Sequence, residues 1–121
     1  MNIKSQIASN PVARALKIVG DRWTILILRD AFLGRHKFSE FREYSKIARG
    51  TLTNRLEFLI EHEILHKVPY SQSPPRFEYK LTPRGLALYP WALMVWEWDT
   101  HWGNHSDSNM PSMHIHNIDK Q

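Results

Sequence analysis

The stretch from Phe38 to Leu65 constrains the fold of this chain more than any other. Its residue pattern predicts a short helix, a tight turn at residues 46–49 and a longer helix. Ser39 can cap the first helix, and Glu40 and Glu43 lie in its opening turn, where the partial positive charge of the helix end favours acids. We therefore expect a helical hairpin of the helix-turn-helix type.

The longer helix is expected to have one buried face and one polar, basic face. Apolar residues recur at the spacing of a single stripe, at Leu52, Leu56, Leu59 and Ile60. The opposite face carries Gly50, Thr51, Asn54 and Phe58, flanked by Arg49 and Arg55. Because the first two turns of this face are small, polar and basic, the helix is suited to the major groove of DNA. A pair of solvated helices with a basic rim is the alternative that these residues leave open.

Two candidate strands follow, at residues 65–70 and 76–81. The second strand alternates, with Phe77 and Tyr79 on one face and charged residues on the other. The residues between the strands, Ser-Gln-Ser-Pro-Pro, predict a polar tip stiffened by proline. A β-hairpin directly after a helix-turn-helix is the winged variant of that motif, which favours DNA binding. We expect Arg76 at the base of this wing to meet DNA, although it can equally be an ordinary strand-edge charge.

Two helices are predicted ahead of the helix-turn-helix. Asn10 followed by Pro11 is typical of a helix start, and this helix should end at Gly20. Its apolar stripe consists of Val12, Ala15, Leu16 and Val19. Asp21 can cap the next helix, from Arg22 to Leu33, which is apolar on nearly all sides and therefore belongs at the centre of the domain.

The last helix is predicted to begin at Thr82-Pro83, and Pro90 should kink or break it. It carries an unusual number of large apolar side chains: Leu88, Tyr89, Trp91, Leu93, Met94, Val95, Trp96, Trp98 and Trp102. Left exposed, these side chains would form a larger apolar patch than a monomer usually tolerates. We infer a homodimer in which this helix and the first helix pack against their twofold mates.

The same aromatic residues have a second interpretation, a ligand pocket. A small apolar or aromatic effector would then bind near Trp91, Met94 and Trp98. The two interpretations are compatible, because pockets often lie at such junctions.

Charge is distributed unevenly along the chain, whose net charge is +4. Residues 1–86 hold 15 basic against 8 acidic side chains, a balance of +7, whereas residues 87–121 hold 1 against 4, a balance of −3. A basic body with a mildly acidic end fits a polyanionic partner such as double-stranded DNA for the body and a different role for the end. Chance unevenness is the alternative.

The 121 residues contain no cysteine, which excludes disulfides, thiol nucleophiles and thiolate metal sites. No apolar run is long enough to span a bilayer and the N-terminus lacks a signal-peptide core, so we expect a cytoplasmic protein without a membrane partner. We divide the chain into an N-terminal arm at residues 1–9, one winged domain at residues 10–102 and a flexible tail at residues 103–121.

The remaining titratable residues suggest neither catalysis nor metal binding. The histidines near the C-terminus match no standard closed metal site: His101, His105, His114 and His116. The candidate bases and acids of the central part are His36, His62, His66, Glu57, Glu61 and Glu63. These residues come with no nucleophile and no glycine-rich phosphate loop, so we expect no enzymatic activity, no metal and no cofactor.

In this order and at these spacings, the motifs resemble the HxlR-type winged helix-turn-helix transcription regulators, relatives of the MarR group. The resemblance runs from Asn10 to about Trp98. The residues that support it are Pro11-Val12, the GDRW and LILRD runs, Phe38-Ser39-Glu40-Phe41, Leu52, Arg55-Leu56, Pro74-Pro75-Arg76, Glu78-Tyr79, Leu81-Thr82, Gly85 and Pro90. It implies a mainly α-helical fold with a small β-hairpin wing, and a homodimeric repressor or activator. We favour a repressor on a palindromic operator.

The resemblance also assigns residues to a DNA interface. The implied base-reading positions are Arg49, Gly50, Thr51, Thr53, Asn54 and Arg55. Asn54 is chemically suited to adenine and Arg49 to guanine. Lys37, Ser39 and Arg76 would hold phosphates. Gln72, at the wing tip, completes the DNA-binding set.

Three residues depart from the family pattern. Asn10 stands where many members carry the cysteine that senses aldehydes, quinones or oxidants, so this chain cannot sense in that way. Ala48 replaces the usual serine cap of the recognition helix, so the helix start can be shifted or held by Thr51. Glu63 replaces the usual glycine after that helix, where a left-handed residue other than glycine costs about 1 kcal/mol.

A winged helix can instead serve as a protein-interaction module without an operator, and the fold alone does not decide between the two functions. The salt dependence of binding distinguishes the two functions. Affinity for DNA falls steeply as the salt concentration rises, whereas binding to a protein target would persist.

Overall fold

The computed structural model describes residues 10–103, which form six helices and one antiparallel β-hairpin. In chain order the elements are α1 (Pro11–Val19), α2 (Arg22–Phe32), α3 (Phe38–Ser45), α4 (Arg49–Glu61), β1 (Leu65–Gln72), β2 (Pro75–Leu81), α5 (Pro83–Leu86) and α6 (Tyr89–Trp102). This order confirms the predicted mainly α-helical fold with a β-hairpin wing. The predicted arm at residues 1–9 and the tail beyond Gly103 lie outside the described residues.

Side chains cap the first two helices as predicted. The Asn10 Oδ1 atom accepts hydrogen bonds from the backbone N–H groups two and three residues later, at 2.8 and 3.2 Å. The Asp21 Oδ2 atom does the same for α2, at 3.0 and 3.1 Å. Each cap satisfies donors at the helix end that have no partner within the helix.

The prediction that Ser39 caps α3 is wrong. The helix begins at Phe38, two residues earlier than a Ser39 cap would place it, so Ser39 lies exposed within the first turn. The Glu40 Oε1 atom reaches back instead and accepts hydrogen bonds from the N–H groups of Lys37 at 2.9 Å and His36 at 3.1 Å. Tertiary structure sets this start, because the extended backbone of Lys37 forms a β-bridge to Glu78 in β2.

The turn between α3 and α4 covers residues 46–48, one residue fewer than predicted. Lys46 ends α3 in the left-handed conformation, with φ at 58°. Ala48 is the N-cap of α4 and forms no side-chain capping hydrogen bond, yet the helix still begins at Arg49. The missing serine therefore does not shift the helix, and the Ala48 carbonyl accepts the first helical bond from Leu52 at 2.9 Å.

Helix α2 lies at the centre of the domain, as predicted. The core joins it to α3, α4 and the start of β1, and its members are Val19, Ile27, Leu28, Phe32, Phe41, Ile47, Leu52, Leu56, Leu59, Ile64 and Leu65. These residues include the predicted leucines of α4, whereas Ile60 is only half-buried. Val12 and Leu16 of α1 stay exposed in the single chain.

A buried carboxylate that the sequence analysis missed fixes α2 against α3. Asp30 is fully buried, and its carboxylate accepts hydrogen bonds from Arg35 at 3.0 Å and from the Ser45 hydroxyl. Arg29 lies 3.5 Å from the same carboxylate and donates to the Ser45 oxygen at 3.2 Å. These bonds connect the last turns of both helices with the loop that leads into α3.

The wing is longer than predicted, because β1 and β2 leave only residues 73–74 as the tip. The antiparallel register shifts between Pro69 and Ser71. Tyr70 is the extra residue of this β-bulge, a feature that bends a strand and re-aims its side chain.

Helix α5 docks on the turn that follows α4. Glu63 in this turn adopts the left-handed conformation expected at this position, with φ at 60°. The Thr82 hydroxyl lies 2.6 Å from the Glu63 carbonyl oxygen and 3.1 Å from that of Ile64, and it accepts a hydrogen bond from the Gly85 N–H at 3.0 Å. A Cβ atom added to Gly85 would lie 2.3 Å from the Ile64 carbonyl oxygen. Glycine is therefore required where α5 meets this turn.

The C-terminal segment is broken, which confirms the predicted interruption near Pro90. Helix α6 starts anew at Tyr89 and has Pro90 in its first turn, where the missing N–H has no helical partner to lose. No residue of α6 is buried in the single chain, and Met94, Trp98 and Trp102 are 62%, 64% and 69% exposed. Among residues 10–103, no helix has the length and apolar character needed to cross a bilayer.

His36 lies where the wing docks on α3. Its carbonyl oxygen accepts a hydrogen bond from the Tyr79 N–H at 2.8 Å, and its buried Nδ1 atom finds no partner among residues 10–103. Burial lowers the pKa of His36 below its ordinary value of 6.5, and Lys80 lowers it further. Glu78, a hydrogen bond with the Tyr79 backbone and Glu40 raise the pKa without reversing the shift. The imidazole is therefore neutral at neutral pH.

Replacing Gly85 by alanine should destabilise the fold by about 3 kcal/mol, because the added methyl group overlaps a backbone carbonyl that cannot move freely. Urea unfolding followed by circular dichroism measures the change. The matched control is Gly50→Ala, because a Cβ atom at Gly50 would meet no atom of residues 10–103 within 4 Å. That control should stabilise α4 by about 0.5–1 kcal/mol. Equal effects of the two substitutions would contradict the close packing of α5.

The lowered pKa of His36 predicts a stability that depends on pH. Below about 6.5 the unfolded chain binds a proton that folded His36 resists, so the free energy of unfolding should fall as the pH drops from 7 towards 5. His36→Gln should flatten this dependence, and His66→Gln, at an exposed position of β1, should preserve it. Urea unfolding at several pH values measures both slopes, and an unchanged slope for His36→Gln would refute the assignment.

Candidate nucleic-acid interface

A cleft of about 620 Å³ lies between the wing and the N-terminal ends of α3 and α4. It is lined by Lys37, Phe38, Ser39, Arg49, Thr53, Tyr70, Pro75, Arg76, Phe77 and Tyr79. Five of the predicted DNA-binding residues therefore meet in one place, although they are far apart in the sequence: Lys37, Ser39, Arg49, Thr53 and Arg76.

Three cations converge on the cleft from three different elements. Lys37 precedes α3, Arg49 opens α4 and Arg76 lies in β2, and all three side chains are exposed. Within residues 10–103, none of these three cations forms an ion pair. Their charge is therefore available to an anionic partner such as a phosphate.

Aromatic rings support two of these cations. The Lys37 ammonium lies 5.0 Å from the ring centroid of Tyr70, and the Arg49 guanidinium lies 5.3 Å from that of Phe38. Such contacts orient a cation without neutralising it. Tyr79 also lines the cleft, and burial together with the nearby Glu57 carboxylate raises the pKa of its phenol, which therefore stays neutral.

The first turns of α4 present a small and open surface beside the cleft. Gly50 and Asn54 are exposed, Thr51 is half-buried, and no atom approaches the place of a Gly50 side chain within 4 Å. The Thr53 hydroxyl donates a hydrogen bond to the Arg49 carbonyl at 2.9 Å, which leaves its lone pairs free. The packing of residues 10–103 therefore does not require glycine at position 50.

Arg55 is separated from the other predicted base-reading residues. Its Nη1 atom lies 3.8 Å from the Asp21 carboxylate, and its guanidinium stacks 4.5 Å from the ring centroid of Phe58. Its half-buried side chain thus connects α4 to the N-cap of α2 and does not line the cleft. Gln72 is exposed at the end of β1, next to the wing tip and also outside the lining.

The aromatic residues of the cleft were not among the predicted DNA-binding residues. Phe77 and Tyr79 could have been found, because the alternation in β2 places them on one face. Phe38 could have been found as the residue beside the predicted helix start. Tyr70 could not, because only the β-bulge brings it into the cleft.

The predicted effector residues do not share one environment. Trp91 packs against the hydrophobic core, whereas Met94 and Trp98 lie on the exposed side of α6. An effector at these residues therefore stays a prediction.

Relatives of the chain are regulators of the helix-turn-helix type. An uncharacterized HTH-type transcriptional regulator of Mycobacterium tuberculosis (strain ATCC 25618 / H37Rv) is 39% identical over 97 residues, which cover 80% of this chain and 61% of that relative. The uncharacterized HTH-type transcriptional regulator YdeP of Bacillus subtilis (strain 168) is 37% identical over 89 residues, or 73% of this chain and 70% of YdeP. The match thus spans about three fifths of the length of the mycobacterial relative.

Solved structures share the fold. The crystal structure of PA1607 matches with a TM-score of 0.78 at 36% identity, over 91% of this chain and 77% of PA1607. The redox regulator HypR in its reduced form matches with a TM-score of 0.71 at 33% identity, over 76% of this chain and 92% of HypR. Residues 18–107 match the family model described as HxlR-like helix-turn-helix. These findings confirm the resemblance drawn from the motifs, and the chain belongs to the HxlR-like helix-turn-helix family.

Proposed function

We propose that this protein is a DNA-binding transcription regulator that acts as a homodimeric repressor on a palindromic operator. The observation that carries the proposal is the cleft in which Lys37, Arg49 and Arg76 converge without an acidic partner among residues 10–103. A concave surface with three free cations fits the phosphate backbone of a duplex.

In this proposal, residues in the first turns of α4 contact the bases. Asn54 can form two hydrogen bonds with adenine, and Arg49 can do so with guanine. Gly50, with open space beside it, allows the helix backbone to approach the base edges closely. Thr51 follows this position and can donate to bases or phosphates, whereas the Thr53 hydroxyl donates to the Arg49 carbonyl and can accept from a base.

Phosphate contacts would fix the register of the protein on DNA. Lys37 and Ser39 lie at the start of α3 on one side of the cleft, and Arg76 lies on the wing at the other side. Gln72 beside the wing tip would reach the backbone or minor groove. Such contacts carry little sequence information and make binding depend on salt.

Dimerisation would cover the exposed apolar faces of the two terminal helices. These faces carry Val12, Leu16, Met94, Val95, Trp98 and Trp102, all of them exposed in the single chain. A twofold contact between copies would bury these faces and place two α4 helices for two half-sites, roughly one turn of DNA apart.

The proposed regulator would not respond to oxidation of a cysteine among its 121 residues. HypR is described as a redox regulator, but the 121 residues of this chain contain no cysteine. Asn10, where the family resemblance leads us to expect a sensing cysteine, instead caps α1. A small apolar or aromatic effector beside Trp91, Met94 and Trp98 would fit the chemistry of that region.

The division between base and phosphate contacts is tested by two substitutions. Asn54→Ala should relax base preference at one operator position, at a cost of about 1–3 kcal/mol on the preferred sequence. Arg76→Ala should weaken binding to all sequences and reduce the slope of log affinity against log salt by about 1. Fluorescence anisotropy on operator and scrambled duplexes at several salt concentrations measures both effects.

Arg84→Ala is the matched control, because Arg84 is an exposed arginine outside the cleft. It should leave affinity and salt slope unchanged. If Asn54→Ala and Arg76→Ala lost the same affinity on every sequence, the assignment of Asn54 to base contacts and Arg76 to phosphate contacts would be contradicted. Duplex affinity that does not respond to salt would favour a winged-helix protein-interaction module.

The homodimer is tested by introducing a charged side chain at the centre of the proposed dimer interface. Trp98→Glu should give a monomer in light scattering and weaken binding to a full palindrome more than binding to a half-site, because a carboxylate would be buried against an apolar mate. Tyr44→Glu is the control, because Tyr44 is also an exposed aromatic residue but lies in α3. A wild-type protein that is monomeric at micromolar concentration, with and without DNA, would contradict the homodimer.

A further inference from the structure

Tyr70 holds an unusual place in the wing. It is the extra residue of the β-bulge between Pro69 and Ser71, and its side chain is 43% exposed. The bulge re-aims this side chain relative to the regular alternation of β1, and its ring lines the cleft. An aromatic ring is thus presented to the same space as three cations.

Lys37 is joined to the wing at two points. Its backbone forms a β-bridge with Glu78 of β2, and its ammonium lies 5.0 Å from the ring centroid of Tyr70 in β1. The bridge fixes where the side chain starts, and the ring attracts its charged end. A lysine side chain is otherwise free to sample many rotamers, so this attraction concentrates it on the cleft.

We propose that Tyr70 is a positioning residue of the DNA interface, whose ring holds the Lys37 ammonium in place to bind a phosphate at the junction of the wing and α3. The inference rests on the proposed DNA-binding function and deepens it by naming a residue that acts through another. The aromatic ring, and not the hydroxyl group, positions Lys37, because the ammonium lies over the face of the ring. Tyr70 itself adds no charge to the interface.

Two substitutions of Tyr70 separate the ring from the hydroxyl. Tyr70→Phe keeps the ring and should hold duplex affinity within about twofold of wild type. Tyr70→Leu removes the ring and should weaken binding to operator and scrambled duplexes alike, by about threefold to tenfold. It should also lower the salt slope by up to about 0.9, the value of one phosphate contact, because Lys37 no longer engages its phosphate.

A double substitution tests the coupling between the two residues. If Tyr70 acts through Lys37, then Lys37→Met with Tyr70→Leu should bind DNA no more weakly than Lys37→Met alone. Additive losses would overturn the proposal. A Tyr70→Phe variant as weak as Tyr70→Leu would also overturn it, because the hydroxyl rather than the ring would then be responsible.

The contact can be observed in the free protein, independently of any DNA. The ring current of Tyr70 should shift the Lys37 ε-methylene protons upfield in NMR spectra. Tyr70→Phe should keep this shift, and Tyr70→Leu should abolish it. An unshifted Lys37 signal in the wild-type protein would refute the contact even if a variant failed to fold.

Tyr44→Leu provides the matched control. Tyr44 is 48% exposed and lies under the Arg35 guanidinium at 3.6 Å, so it has the same chemistry outside the cleft. It should leave affinity and salt slope unchanged, and losses as large as those of Tyr70→Leu would overturn the specific role. If wild-type protein shows no salt-dependent duplex binding, the proposed function fails; if it binds and Tyr70→Leu binds equally well, only this inference fails.

Discussion

The buried carboxylate of Asp30 is the interaction on which the geometry of the interface depends. It joins the end of α2 to Arg35 in the following loop and to Ser45 at the end of α3. The next two residues of that loop, His36 and Lys37, attach the wing through a hydrogen bond and a β-bridge. Removing one partner of a buried charge typically costs about 3–5 kcal/mol, because the other partner is left unpaired. Such a loss here would loosen α3 and the wing together, since both are anchored to the same short loop.

Local patterns were enough to predict the parts of the fold that local physics decides. The leucine stripe of α4 and the apolar character of α2 identify the core, because burial follows helical periodicity directly. The caps at Asn10 and Asp21 depend on hydrogen bonds across two or three residues and were likewise predictable. The three basic residues that line the cleft, Lys37, Arg49 and Arg76, were also predicted, through the resemblance to the family.

Contacts between distant segments explain what the sequence analysis missed. Ser39 has the chemistry of a helix cap, but the bridge between Lys37 and the wing sets the start of α3, and Glu40 takes over the cap. Arg55 stays a predicted base-reading residue, and its contact with the Asp21 carboxylate near α2 was not predicted. Tyr70 enters the cleft only through a change of register between two strands. In each case a contact with a segment remote in sequence adds what local preference does not contain.

The start of α4 is the place where stability and the proposed function conflict. Ala48 supplies no capping hydrogen bond, Gly50 weakens the helix, and Arg49 places a cation at the positive end of the helix dipole. Each of these three features costs stability, and no contact of Gly50 with the described residues offsets its cost. All three become favourable beside DNA. Unsatisfied N–H groups then gain acceptors, the missing side chain allows close approach, and Arg49 gains the acceptor atoms of a guanine. The N-terminal end of α4, which is its least stabilised end, is therefore the end that bound DNA would stabilise.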